Sequence, residues 1–273
     1  MTGKMNRNLF LMEIKRNTLS LTVWMIAITV LVSVTMAVYP VFLENQSKIL
    51  GMMSLIPDEL LQFKGISDFS DFLSVLGFYS VNNIIYMMVL GSIYAIVLSS
   101  GILLKEEYNK TAEYLLTRPL TRSEIFLSKL AVLFINVFLL NFVTALAGFI
   151  CLELVRNTPF STGAFLILSL YTLLLNILFG AVGLFMSTLV RRARPITTLS
   201  IGLVLILYFI FTLSKITEGI SRIGYLSPFR YVKTNATSPD YSLDFWHLLY
   251  FIGISLLLIG LSYRLYIRKD IYT

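Results

Sequence analysis

Apolar residues do not alternate along this chain. They come in long blocks separated by short polar gaps. Six stretches are almost wholly apolar: Leu19 to Phe42, Tyr79 to Leu104, Phe126 to Val155, Ala164 to Val190, Ile196 to Leu213 and Phe245 to Tyr263. A helix of roughly 20 such residues crosses the ~30 Å hydrocarbon core of a bilayer. Each block is too long for a strand and lacks period-two alternation, which argues against a β-barrel. The only Lys or Arg within any block is Lys129, near the start of the third. Arg191-Arg192-Ala193-Arg194-Pro195 places three cations between the fourth and fifth blocks and predicts a tight loop there. The pattern predicts an all-α polytopic membrane protein: six transmembrane helices in one transmembrane domain over residues 1–273.

The first 18 residues are amphipathic. Met5, Leu9 and Met12, among Lys4, Arg7, Lys15 and Arg16, are spaced like a short interfacial helix lying on the membrane. A plain basic anchor is the competing reading. A polar leader of about 18 residues before an apolar run of about 24 is too long for a cleaved signal peptide.

Composition sharpens this picture. Of 273 residues, 57% are hydrophobic and 14% are charged, against about 45–50% and about 25% in soluble domains. That excludes a soluble globular enzyme and a disordered chain. The net charge of +7 would suggest nucleic acid in a soluble protein. Here the charges fall by side. Of the 22 Lys and Arg, 15 lie on the side shared by both termini and 7 on the other; with six and nine acids respectively, the sides carry +9 and −2. The positive-inside rule makes the first side cytoplasmic, with both termini inside and no nucleic-acid partner. The expectation is a multi-pass protein of a prokaryotic-type cell membrane.

Catalysis is tested by subtraction. There is one histidine, His247, and one cysteine, Cys151. That rules out a metal site needing two histidines or several thiolates, an H-E-x-x-H protease included. Ser255 is eight residues from His247, about 12 Å along a helix, too far for a serine–histidine pair. Glu106-Glu107 resembles the start of a glutamate protease motif, but Thr111 stands where an arginine is needed. No phosphate-binding G-x-x-x-x-G-K-[ST] motif occurs. The expectation is a non-enzyme with no metal and no cofactor of its own.

Three loops exceed simple turns. The external loops are expected at 43–78 and 214–244. In the first, Ile56-Pro57-Asp58-Glu59-Leu60-Leu61 reads as a helix start. The second carries Leu226-Ser227-Pro228-Phe229-Arg230-Tyr231 and a glycosylation sequon, Asn235-Ala236-Thr237, to which no function is assigned because such triplets are common by chance. The cytoplasmic segment 105–125 is the most informative. Thr111 to Leu116 contains good helix formers, Pro119 stops that piece, and Thr121 with Glu124 forms a capping box for a helix running directly into the third span. A short helix joined stiffly to two spans is a lever. Tyr114, Leu115 and Leu116, rimmed by charge, suggest a docking surface; the competing reading seats the leucines in lipid headgroups.

Polar residues within spans are costly in lipid unless they face protein or a cavity. Asn82, Asn83, Asn136, Asn141 and Asn176 are therefore candidates for interhelical hydrogen bonds first and for a substrate pathway second. No span carries an acid at mid-depth to couple a proton or sodium gradient. Gly91, Ala95 and Ser99 in the second span, and Gly180, Gly183 and Ser187 in the fourth, predict close helix packing.

Together these features resemble a known family, the six-span permease subunits of ABC-2 type ATP-binding-cassette exporters. The stretch Glu107 to Lys129 is similar to its coupling region through Glu107, Thr111, Glu113, Leu115, Leu116, Pro119, Arg122 and Lys129. Ser227-Pro228-Phe229-Arg230-Tyr231 resembles its external Pro-aromatic motif, and Tyr266-Ile267-Arg268-Lys269-Asp270-Ile271 its basic-basic-acid ending. Lys110 departs from the glycine common before the Thr. The resemblance implies a separate ABC ATPase subunit, in two copies, docked on the 111–116 helix. It also implies a second permease chain, identical or homologous, and ATP with magnesium bound only by the ATPase. The substrate it implies is an antimicrobial peptide, drug, lipid or polysaccharide, or a role in cofactor maturation. The long apolar external loop leans toward an amphipathic or lipid-like molecule. The rival readings are a secondary carrier and a membrane-anchored assembly or sensory protein, neither with an ATPase partner.

Overall fold

The computed structural model describes residues 6–53, 73–104, 121–157, 159–189, 193–216, 218–238 and 241–268. Among these, every regular element is helical. In chain order they are α1 (Arg7–Glu44), α2 (Gln46–Met53), α3 (Val75–Ile102), α4 (Arg122–Val155), α5 (Thr162–Leu189), α6 (Ala193–Ile216) and α7 (Phe245–Arg268). Two 3-10 segments, Glu218–Leu226 and Pro228–Tyr231, lie between α6 and α7. Six helices, α1 and α3 to α7, are long and apolar enough to cross a membrane, and they coincide with the six apolar blocks. The helix start expected near Pro57 lies outside the described residues.

The leader differs from the expectation. From Arg7 onward it is not a separate surface helix but the first three turns of α1, which continues unbroken to Glu44. At 1.5 Å per residue the helix is about 57 Å long, nearly twice the bilayer core. The physical reason is its buried stripe. Leu9, Glu13, Asn17 and Leu21 recur every four residues on the face that continues as Ile28, Val32, Met36 and Tyr39. That face packs on α4, so the leader finds protein where a surface helix would find headgroups. Met12, expected on the apolar face, is instead 47% exposed.

The two ends of the bundle are distinct. At the end holding the termini, Leu9, Ile102, Leu103, Ile125, Phe126, Leu184 and Tyr266 form one cluster from α1, α3, α4, α5 and α7. At the far end, the Tyr39 hydroxyl donates to the Leu73 carbonyl at 2.9 Å. There too the backbone N–H of Asp244, which caps α7, donates to the Tyr171 hydroxyl at 2.9 Å. Lys233, 3.2 Å from Asp244, holds that carboxyl below its ordinary pKa, helped by the Trp246 N–H.

α3 and α5 are the most enclosed helices, because small residues let them approach. A Cβ built on Gly91 would strike the Asn176 amide, and one on Gly183 would strike the Ser99 hydroxyl and lie 2.6 Å from the Ile96 carbonyl oxygen. A Cβ on Gly180 would meet Leu133 at an ordinary 3.5 Å. Gly183→Ala is therefore expected to cost about 1–3 kcal/mol by forcing backbones apart. Gly180→Ala is expected to be tolerated, and the difference is read as the gap between their thermal midpoints in detergent.

The segment after α6 folds back into the bundle. The Ser227 hydroxyl donates to the Leu207 carbonyl at 2.7 Å. Leu207 is nine residues before the end of α6, about 13 Å down its axis. Phe229 is fully buried, with ring centroids 5.3 Å from Phe179, 5.4 Å from Tyr208 and 6.3 Å from Phe211. Phe179 lies eight residues along α5 from Tyr171, about 12 Å below the cap of α7. Both counts place Phe229 near mid-depth. Non-α backbone is stable at that depth only inside protein or along a cavity, and Ser227, Pro228 and Phe229 are indeed buried. Arg230 straps the segment: its guanidinium donates to the Ser221 carbonyl at 2.8 Å and stacks 4.0 Å over Tyr225.

Candidate functional site

The docking residues expected from sequence, Glu107, Thr111, Glu113, Tyr114, Leu115, Leu116 and Pro119, lie outside the described residues. The structure does describe the two flanks from which that segment departs and to which it returns: the end of α3 with its turn at Leu103 and Leu104, and the start of α4 at Thr121 and Arg122. The site is therefore built from its mount.

The start of α4 forms where the sequence places it. The Glu124 N–H donates to the Thr121 hydroxyl at 3.3 Å, and the Thr121 N–H donates to Glu124 Oε2 at 2.8 Å. This capping box satisfies two backbone donors that the first turn leaves without partners. α4 then runs on without a break for 34 residues.

Three sets of contacts hold this start in place. On one side stands α7. Arg122 Nη1 donates to the Ile267 carbonyl at 3.3 Å, and Ser123 and Tyr263 share a hydroxyl–hydroxyl bond at 3.1 Å. Phe126 packs 5.4 Å from Tyr263 and 5.7 Å from Tyr266. On the other side stands the leader. The Asn6 N–H donates to Ser128 Oγ at 3.0 Å, while the Asn6 side chain caps α1 through the N–H groups of Asn8 and Leu9. Between them is Lys129. Its ammonium is fully buried, donates to the Ile102 carbonyl at the end of α3, and lies 3.9 Å from the fully buried Glu13 carboxylate. Helix C-terminal carbonyls carry partial negative charge and favour a cation there. Glu13 also faces Arg16 at 3.6 Å, and the Asn17 amide donates to the Glu13 carbonyl at 2.9 Å.

One lysine thus ties together α1, α3 and α4. The end of α3 and the start of α4, the two flanks of the segment 105–120, are held through the same side chain. Lys129 carries a legible sequence signal as the single cation inside an apolar block. Glu13 was missed. Its only signal is its place in the four-residue repeat of Leu9, Asn17 and Leu21, and its partner is 116 residues away.

The intraspan asparagines divide. Ser92 Oγ donates to Asn176 Oδ1 and Asn176 Nδ2 donates to Asn141 Oδ1, both at 3.1 Å. This chain joins α3, α5 and α4. The Tyr94 hydroxyl donates to Asn136 Oδ1 at 3.2 Å. The free amide protons of Asn136 and Asn141 go to their own helix, to Val132 and Val137 at 2.8 Å each. These three are bonded to protein, as apolar surroundings demand. Asn82 bonds the Phe78 carbonyl at 3.0 Å. Asn83 is fully buried, and neither of its amide atoms has a hydrogen-bond partner.

The fold defines a class: a helical membrane protein with six helices long and apolar enough to cross a bilayer. The chain matches the sequence profile described as ABC-2 family transporter protein over residues 7–271. It belongs to that family and is a membrane transporter permease, not itself an enzyme. No individual curated protein sequence matches it.

Proposed function

We propose that this chain is the permease subunit of an ATP-driven exporter of the cell membrane, with the termini end of the bundle in the cytoplasm. Two permease chains, identical or homologous, form the substrate pathway. Two ABC ATPase subunits dock on the helix 111–116 and hold ATP and magnesium. Closure of the ATPases moves the segment 105–125 and switches the pathway from inward-facing to outward-facing. Its substrate is amphipathic or lipid-like, such as an antimicrobial peptide or a drug. The observation that carries this reading is the mount. The capping box, Lys129 and the α7 contacts fasten both flanks of the segment to the bundle, as transmission of force requires. The net +9 on that side supports the orientation.

The test is a mild-detergent pull-down of the tagged chain from its native membrane, with mass spectrometry and an ATPase assay. An ATPase subunit is expected to co-purify. Leu116→Asp, which puts a charge into an apolar contact, is expected to cut its recovery at least about tenfold. A chain that emerges without any ATPase, while a known transporter stays intact in the same detergent, overturns the reading.

A further inference from the structure

The leader lies outside the segment to which ATPase docking is assigned, yet it contributes one half of a fully buried ion pair. Taking an ion out of water costs several kcal/mol, and apolar residues of similar size fill such a space as well or better. Packing alone therefore does not call for Glu13 and Lys129. Nor is the pair closed. The Lys129 ammonium stands 3.9 Å from Glu13 Oε1, beyond hydrogen-bond distance, and neither carboxylate oxygen of Glu13 has a hydrogen-bond partner. Buried polar groups are nearly always hydrogen-bonded. An approach of about 1 Å between α1 and α4 would close the pair into a charge-assisted bond of ~2.8 Å. The two side chains thus face each other without a direct hydrogen bond.

We infer that Glu13 and Lys129 are a positioning pair that couples the leader of α1 to the base of α4, so that α1 is driven by movement of the cytoplasmic segment. This rests on the reading of 105–125 as the ATPase-docking segment. Three observations support it. Lys129 also holds the end of α3 through the Ile102 carbonyl, so its ammonium cannot follow α4 without pulling on both neighbours. Asn6 and Ser128 bind the leader a second time, two turns below Glu13. And α1 is one continuous helix from this contact to Glu44, so a displacement of the leader moves its whole length.

The test uses the complex with its co-purified ATPase in lipid nanodiscs and needs no substrate. Cys151→Ser removes the only cysteine. Spin labels are then placed through Asn8→Cys on the leader or Leu127→Cys on α4, each paired with Leu199→Cys on α6. Distances are measured without nucleotide and after trapping with MgATP and vanadate. In the native pair, both distances are expected to shift by roughly 2 Å or more, the scale of helix shifts in switching proteins. The double variant Glu13→Leu/Lys129→Met keeps the space filled and removes both charges. In it the α4 shift is expected to persist and the leader shift to fall to less than half, because Asn6 and Ser128 still join the two, with most of the thermal midpoint kept. The inference is overturned if the leader shift is undiminished in the double variant, or if the leader is static in the native chain while α4 moves. If neither moves in the native chain although ATPase is bound, the docking reading itself fails and the inference falls with it.

Discussion

Lys129→Met, made alone, is expected to destabilise the bundle by about 3–5 kcal/mol. That is the usual cost of removing one partner of a buried ion pair and leaving the other without compensation. The methylene stem is nearly conserved, so the loss is electrostatic. Glu13 keeps Arg16, which faces the same Oε1 from 3.6 Å, so the cost is expected at the lower end of that range. Glu13→Leu alone is expected to cost less, because Lys129 retains the Ile102 carbonyl. The double variant is expected to recover most of the stability. Fluorescence-detected size exclusion after heating reads all three. An additive double variant would show that the two residues do not act as a pair.

Phe229→Ala is expected to be comparably damaging, about 3–5 kcal/mol. The ring is closed in by Phe179, Tyr208 and Phe211, which belong to two rigid helices and cannot collapse into the space. Phe229→Leu keeps most of the volume and is expected to cost under about 1.5 kcal/mol. The thermal midpoint of the purified chain checks both. Equal effects would mean that the aromatic contacts contribute little and that the Ser227 bond to Leu207 holds the segment by itself.

The spans were legible because a bilayer imposes a length and a polarity that composition alone reveals. The start of α4 was legible for a different reason. A capping box is local, and Thr121 and Glu124 needed nothing from the rest of the chain. What the sequence concealed is long-range. A four-residue repeat of Leu9, Glu13, Asn17 and Leu21 suits a helix lying on headgroups and a helix packed on protein equally well; only the position of Lys129 decides between them. The asparagines show the same limit. Asn136, Asn141 and Asn176 were recognisable as polar residues needing partners, but Tyr94, Asn141 and Ser92 could be matched to them only in space. The segment 218–231 was hardest to read. Its average polarity is that of an exposed loop, yet Gly224, Ser227, Pro228 and Phe229 are buried.

That segment also works as a ruler. Its depth is set by the number of residues between Ile216, where α6 ends, and Ser227, whose hydroxyl finds the Leu207 carbonyl. A 3-10 turn advances about 2 Å per residue, so one residue added or removed there would slide Phe229 out of its ring of aromatics and part Arg230 from Ser221. Past Tyr231, Asn235 is exposed, between the buried Val232 and Ala236. An epitope or label inserted at Asn235 would leave the buried arm in register, whereas one inserted before Ser227 would not.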